Sequence, residues 1–227
     1  MMRMKPKRPL PMDLQLKSGR RLSLPSTEPV FCAPGLLVQP NVPKPMHGTN
    51  PRTVLGAAWW DRERSAAKAA NNNCCHACGL PAHRNQRAGC GLEGHERYEI
   101  TYSAGRVKYL GTVALCNWCH AFIHCGLLVM HVRNKTRTQL QAMRIMRTRI
   151  ELLHAADFTP HMHELMAACE LGVISARELP GLAVKARRQE ADRSVSAAPW
   201  GAWRLEIQGK LYEGKFPTKQ DWERAYK

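Results

Sequence analysis

The sequence has no run of the roughly 18 uninterrupted apolar residues that a membrane-spanning helix requires, and no basic amphipathic stretch long and apolar enough to anchor on a bilayer surface. An apolar signal core is missing too. The basic start, Arg3, Lys5, Lys7 and Arg8, is interrupted by Pro6, Pro9 and Pro11, so no secretion signal is expected. No internal repeat, phosphate-binding Gly-rich loop or dinucleotide fingerprint occurs. Acidic residues are scarce: 18 Asp and Glu stand against 34 Lys and Arg, a formal net charge of +16 over 227 residues. Such an excess favours a polyanionic partner, and nucleic acid is the commonest, because neutralised phosphates release counterions. The nine cysteines are an odd number, which argues against a full disulfide framework and points to a reducing cytoplasm as the compartment.

The cysteines that are present fall into a pattern. Cys75 and Cys78 form one Cys-x-x-Cys pair, and Cys116 and Cys119 form another. Two residues between ligands let one tight turn aim both sulfurs at a single metal, so two such knuckles are a standard donor set for a closed tetrahedral Zn²⁺. Cys74 could shift the register of the first knuckle, whereas Cys32, Cys90, Cys125 and Cys169 have no evident partner. His76, inside the first knuckle, is either an exposed spacer or a substitute ligand.

The length suits one or two domains, and the fold class expected is α+β: a zinc-braced ββα core with helical additions and a small C-terminal hairpin and helix. Residues 1–50 are Pro-rich and basic, an extended and partly disordered arm whose apolar pieces lie over the core. The core is placed at 51–135. A helix over 54–70 leads to Asn71, Asn72 and Asn73, and Trp59 and Trp60 on it are core anchors in preference to base-stacking groups. Strands follow at 92–102 and 106–115 about a Ser103-Ala104-Gly105 turn, then a helix over 119–132 weakened at Gly126. A helical region at 136–191 holds one strong helix over 136–154 and two shorter ones, over 161–170 and 175–190. Arg137, Arg144, Arg147 and Arg149 lie on the strong helix, and the first three are candidates for phosphate contact. Residues 192–227 begin with a linker and form a short hairpin and a helix capped by Thr218, a unit too small to bury a core of its own.

The order Cys75-x-x-Cys78, then Leu92-Glu93-Gly94-His95-Glu96, then Leu115-Cys116-x-x-Cys119-His120 with His124, resembles the zinc-containing branch of the HNH, or ββα-metal, endonucleases of bacteria and bacteriophages. The likeness covers residues from about 75 to 130, and more loosely 48–64 with Asn50-Pro51-Arg52 and Trp59-Trp60-Asp61. It implies hydrolysis of phosphodiester bonds in nucleic acid, DNA above all, with a catalytic Mg²⁺ or Mn²⁺ beside the structural Zn²⁺. It also implies a host-cytoplasm location if the chain is phage-encoded, with a host or phage protein as a further partner. By this likeness His95 is the general base, Glu93 and Glu96 are metal or water partners, and His120 and His124, four apart on a helix, hold the catalytic cation. An alternative alignment makes His95 the metal ligand and Glu96 the base. Glu93 and His95 share a strand face, and Glu96 points the other way unless a bulge intervenes. Two positions depart from the family pattern. Gly94 stands where an acid or second histidine is usual, and Gly111 where an asparagine is usual. A module that binds nucleic acid or a host protein without cutting is the competing function.

Overall fold

A computed structural model describes residues 28–82, 91–189 and 197–226. The first half of the arm, Cys90 and most of the expected linker lie outside the described residues. The class is α+β: a four-stranded sheet of order β1-β2-β3-β4 with helices packed around one end.

β1 (Leu92–Thr101) and β2 (Arg106–Cys116) form an antiparallel hairpin. Its turn closes through Gly105, which donates its N–H to the Tyr102 carbonyl at a φ of +61°. The register runs from Leu92↔Cys116 to Arg97↔Gly111 and then shifts to Tyr98↔Tyr109, so Leu110 is the extra residue of a β-bulge. Gly111, with φ at +130°, takes the backbone conformation that the bulge imposes. An asparagine would be strained at that position. At the other end of β2, Val113, Ala114, Leu115 and Cys116 are all buried, as expected of a strand covered on both faces.

α1 (Pro51–Leu55) opens on a capping box between Asn50 and Thr53, and Gly56 at φ +88° separates it from α2 (Ala57–Ala69). The single helix expected over 54–70 is therefore two, because the left-handed backbone at Gly56 breaks the hydrogen-bond ladder. α2 lies against the hairpin so closely that a Cβ on Gly94 would stand 2.9 Å from the Cβ of Arg64 and 3.1 Å from the Trp60 ring. Gly94 is thus a packing requirement of the helix-to-strand approach. Trp60 is buried in that contact, while half-buried Trp59 meets Tyr109 edge-on.

α3 (Asn117–Ile123) starts directly after β2, and α4 (Cys125–Arg133) follows it. The expected helix over 119–132 is broken at His124, whose backbone leaves the helical region, and Gly126 sits inside the second piece without interrupting it. α5 (Gln139–His154), opened by a Thr138 and Gln141 capping box, buries Ala142, Ile145, Met146, Ile150 and Leu153 against α3 and the thiol cluster. α6 (Met162–Glu170) and α7 (Leu179–Gln189) complete the helical region, the last starting four residues later than the sequence suggests.

β3 (Arg204–Ile207) adds parallel to β2 through Arg106↔Arg204, Val107↔Leu205 and Lys108↔Glu206, and β4 (Lys210–Glu213) pairs antiparallel with β3. This extends the distal half of the hairpin into a wider sheet. A second small core forms there from Met46, Val107, Trp203, Leu205 and Ile207. The 34–50 segment lies over the core with its apolar pieces, Leu37 and Met46 being fully buried, one in each core. α8 (Lys219–Tyr226) then returns to this segment, where the Trp222 indole N–H donates to His47 Nδ1 at 3.0 Å. No helix of the described residues is long and apolar enough to cross a membrane.

Candidate metal centres and cleft

Among the described residues, two clusters could hold a metal ion: Cys75, Cys78, Cys116 and Cys119, and His95, His120 and His124. In each, the donor atoms all lie within 4.8 Å of one another. Both draw on the same local structure, since Cys116 ends β2, Cys119 and His120 ride α3, and His124 is the residue that ends it.

The thiol cluster is the more enclosed. Cys75 belongs to a tight turn in which its carbonyl accepts from Gly79 N–H at 2.8 Å, and Gly79 takes a φ of +71° to make it. Cys116 caps α3 through its sulfur, which accepts the Cys119 N–H at 3.5 Å. Sulfurs at the corners of a tetrahedron with bonds of about 2.3 Å are about 3.8 Å apart, and Cys78 and Cys116 Sγ are separated by 3.7 Å. The four residues therefore fit a closed tetrahedral metal. Four sulfurs this close cannot all ionise without a cation. Sharing a proton with Cys116 holds the Cys119 and Cys75 thiols far above the usual thiol range, while the Cys119 proton drives Cys116 down.

Arg149 is the residue that sequence reasoning missed here. It lies on the same helix as Arg144 and Arg147, yet it is only 7 % exposed. Its Nε donates to Cys119 Sγ at 3.1 Å, and Nη2 lies 3.8 Å from Cys78 Sγ and 3.9 Å from Cys116 Sγ. Its guanidinium also lies over the Trp118 ring, 5.5 Å from the centroid. A buried cation among sulfurs offsets the negative charge that metal-bound thiolates carry. His76 is neither an exposed spacer nor a ligand. It is buried, donates from Nε2 to the Ala67 carbonyl at 2.7 Å, and meets Phe31 edge-on.

The histidine cluster lies at the rim of the sheet. The ring centroids of His95, His120 and His124 are 4.7–5.3 Å apart. His95 is 7 % exposed, and its Nδ1 finds no hydrogen-bond partner among the described residues. Burial, then the neighbouring His124 and His120, pushes the His95 imidazole down to about 3, and desolvation by the groups around its ring, with His120, pushes His124 down to about 4 although the residue is exposed at the rim. All three of those effects keep a lone pair available at neutral pH. Glu93 holds His120, with Oε2 accepting from Nδ1 at 2.6 Å, which leaves Nε2 as the lone-pair nitrogen. That bond holds the Glu93 carboxyl below its ordinary range. Asn117 donates to Glu93 Oε1 at 3.3 Å, and Arg137 Nη2 donates to Asn117 Oδ1 at 3.1 Å.

Glu93 thus touches one of the three imidazoles, and Arg137 reaches it only through Asn117 and Glu93. The relay escapes sequence inspection because Arg137 lies 20 residues from Asn117. Arg144 and Arg147, by contrast, are exposed on α5, with Arg147 Nε 3.8 Å from Glu151.

Glu96 and His95 both line one cleft of about 310 Å³, although they alternate along the strand. β1 is an edge strand of the sheet, so both of its faces meet at that rim. Burial raises the Glu96 carboxyl above its ordinary range. The remaining walls come from residues 39–42 and 46–50, Tyr98, Ile123, His124 and Tyr226. No protein-family model, curated protein or solved structure matches the chain.

Proposed function

We propose that this protein is a metal-dependent endonuclease of the HNH, or ββα-metal, type, hydrolysing phosphodiester bonds in nucleic acid, with DNA as the main substrate. The observation that carries the proposal is the convergence of His95, His120 and His124 on one point at the edge of a cleft, with Glu93 orienting His120. In this account Cys75, Cys78, Cys116 and Cys119 hold a structural Zn²⁺, and β1, β2 and α3 are the ββα unit that it braces. The three imidazoles would hold a divalent cation, for which the resemblance implies Mg²⁺ or Mn²⁺, with water or substrate oxygens supplying the rest of its ligands. Such a cation polarises a phosphoryl oxygen and stabilises the leaving alkoxide. Three clustered donors favour His95 as a ligand, and Glu96, its pKa raised at the same rim, as the group that takes the proton from water. The net charge of +16 favours a polyanionic substrate.

The competing account, a module that binds nucleic acid or a host protein without cutting, draws on Gly94 and Gly111. Both glycines have structural reasons, the approach of α2 and the β-bulge, so neither needs lost catalysis to explain it. Cleavage of supercoiled plasmid by zinc-loaded protein with added Mg²⁺ or Mn²⁺ separates the accounts. Nicking by wild type, and its loss in His95→Ala, His120→Ala and Glu96→Gln at equal zinc content, is the expected outcome. Salt-dependent DNA binding with no cleavage of any DNA or RNA substrate would hand the case to the binding module.

A further inference from the structure

The cleft beside the histidines is bounded on its far side by groups that the proposed hydrolysis does not use. α8 stacks Tyr226 on Trp222 with centroids 5.2 Å apart and planes 28° from parallel. Both rings meet His47, at 5.8 Å each, and Phe216 backs Tyr226 at 5.8 Å. The stack is pinned, because Trp222 Nε1 donates to His47 Nδ1 and His47 Nε2 donates to the Val42 carbonyl at 3.1 Å. Tyr226 nevertheless remains 56 % exposed and lines the same cleft as His95, Glu96 and His124. Cations lie on the two rings that back Tyr226: Lys44 Nζ is 4.5 Å from the Trp222 ring centroid, and Lys215 Nζ is 5.5 Å from that of Phe216.

A rigid, exposed aromatic face bordered by lysines is what unpaired bases stack on, since every base has a π-face and its phosphate needs a cation. At about 310 Å³ the cleft is at the small end of ligand pockets, room for a nucleotide unit and far too narrow for a duplex. We infer that Tyr226, supported by Trp222 and His47, is a stacking platform that holds an unpaired nucleotide of a single strand in the cleft. The inference rests on the nuclease proposal for the meaning of the cleft, but its test reads binding alone.

The probe is fluorescein-labelled oligothymidine, with oligouridine and the oligothymidine duplex as further arms, titrated by anisotropy at fixed salt without added Mg²⁺ or Mn²⁺. Wild type should bind the single strands more tightly than the duplex. Tyr226→Ala should weaken single-strand binding about 5- to 100-fold, the range that loss of one stacked base gives, with duplex binding little changed. Tyr226→Phe, which keeps the ring, should bind as wild type does. Equal loss on both probes, duplex preference in wild type, or no effect of Tyr226→Ala in a folded variant overturns the platform, whether or not the protein nicks plasmid. Single-strand preference that depends on Tyr226 in a protein that cuts nothing sustains the platform and removes the nuclease.

Discussion

The thiol cluster and the histidine cluster are neighbours on the same strand and helix, yet their surroundings are opposite. The sulfurs are enclosed by α5 and Phe122, and the charge that faces them is the buried guanidinium of Arg149. On the other side His95 and His124 line a cleft, a carboxylate holds His120, and His95 keeps a buried nitrogen with no hydrogen-bond partner among the described residues. A closed donor set suits a metal that braces the fold, and an open one suits a metal that meets a substrate. The divergence comes from one turn of helix: Cys119 faces inward toward α5, and His120, the next residue, turns toward Glu93.

Removing a thiol should have the largest effect. Cys116→Ser deletes both a ligand and the cap of α3, so the protein should lose zinc and its cooperative unfolding transition, because metal binding in such units is folding free energy. Metal analysis together with thermal denaturation followed by circular dichroism checks this, and an unchanged melting temperature would erase the distinction drawn between the two clusters. On the histidine side the fold should survive. Glu93→Gln should leave zinc content and melting intact while lowering affinity for the second metal about 10- to 100-fold, as loss of a group that orients a ligand does. A Mn²⁺ titration reads it directly.

Arg149→Met sharpens the comparison further, since it touches only the thiol side. Hydrogen bonds to charged groups are worth about 1.5–3 kcal/mol. The variant should therefore lose about 2 kcal/mol of stability and release zinc faster to a chelator, with Mn²⁺ affinity unchanged. The smallest effect is on pH. Buried His95 is held down to about 3 when folded against an ordinary 6.5, so the unfolded chain binds more protons across that interval. Its contribution is fully present above pH 6.5 and is lost as the pH falls toward 3. Urea midpoints should decline over that window, and His95→Asn should flatten the decline.

Much of this was legible in the residues. The Cys-x-x-Cys spacing located the thiol cluster, since two knuckles carry their geometry in sequence, and strand formers about Ser103-Ala104-Gly105 located the hairpin. The i, i+4 spacing of His120 and His124 put them on one side of a helix, although the backbone break at His124 was invisible, because His124 has no helix-breaking residue type. Gly94 and Gly111 looked like missing functional groups from sequence alone, and only the approach of α2 and the position of the bulge give them their reasons. Arg149 looked like its exposed neighbours Arg144 and Arg147, since helical periodicity does not say what lies opposite a charged side chain. The parallel pairing of β3 with β2 joins segments about a hundred residues apart, beyond any local pattern.

The division of labour between the two clusters is tested most directly by zinc-edge X-ray absorption on wild type and His120→Ala, paired with plasmid cleavage by the same samples. The account predicts zinc surrounded by four sulfurs at about 2.3 Å in both proteins, with cleavage in wild type alone. Mixed sulfur and nitrogen coordination in wild type, or loss of the four-sulfur zinc in His120→Ala, would contradict it.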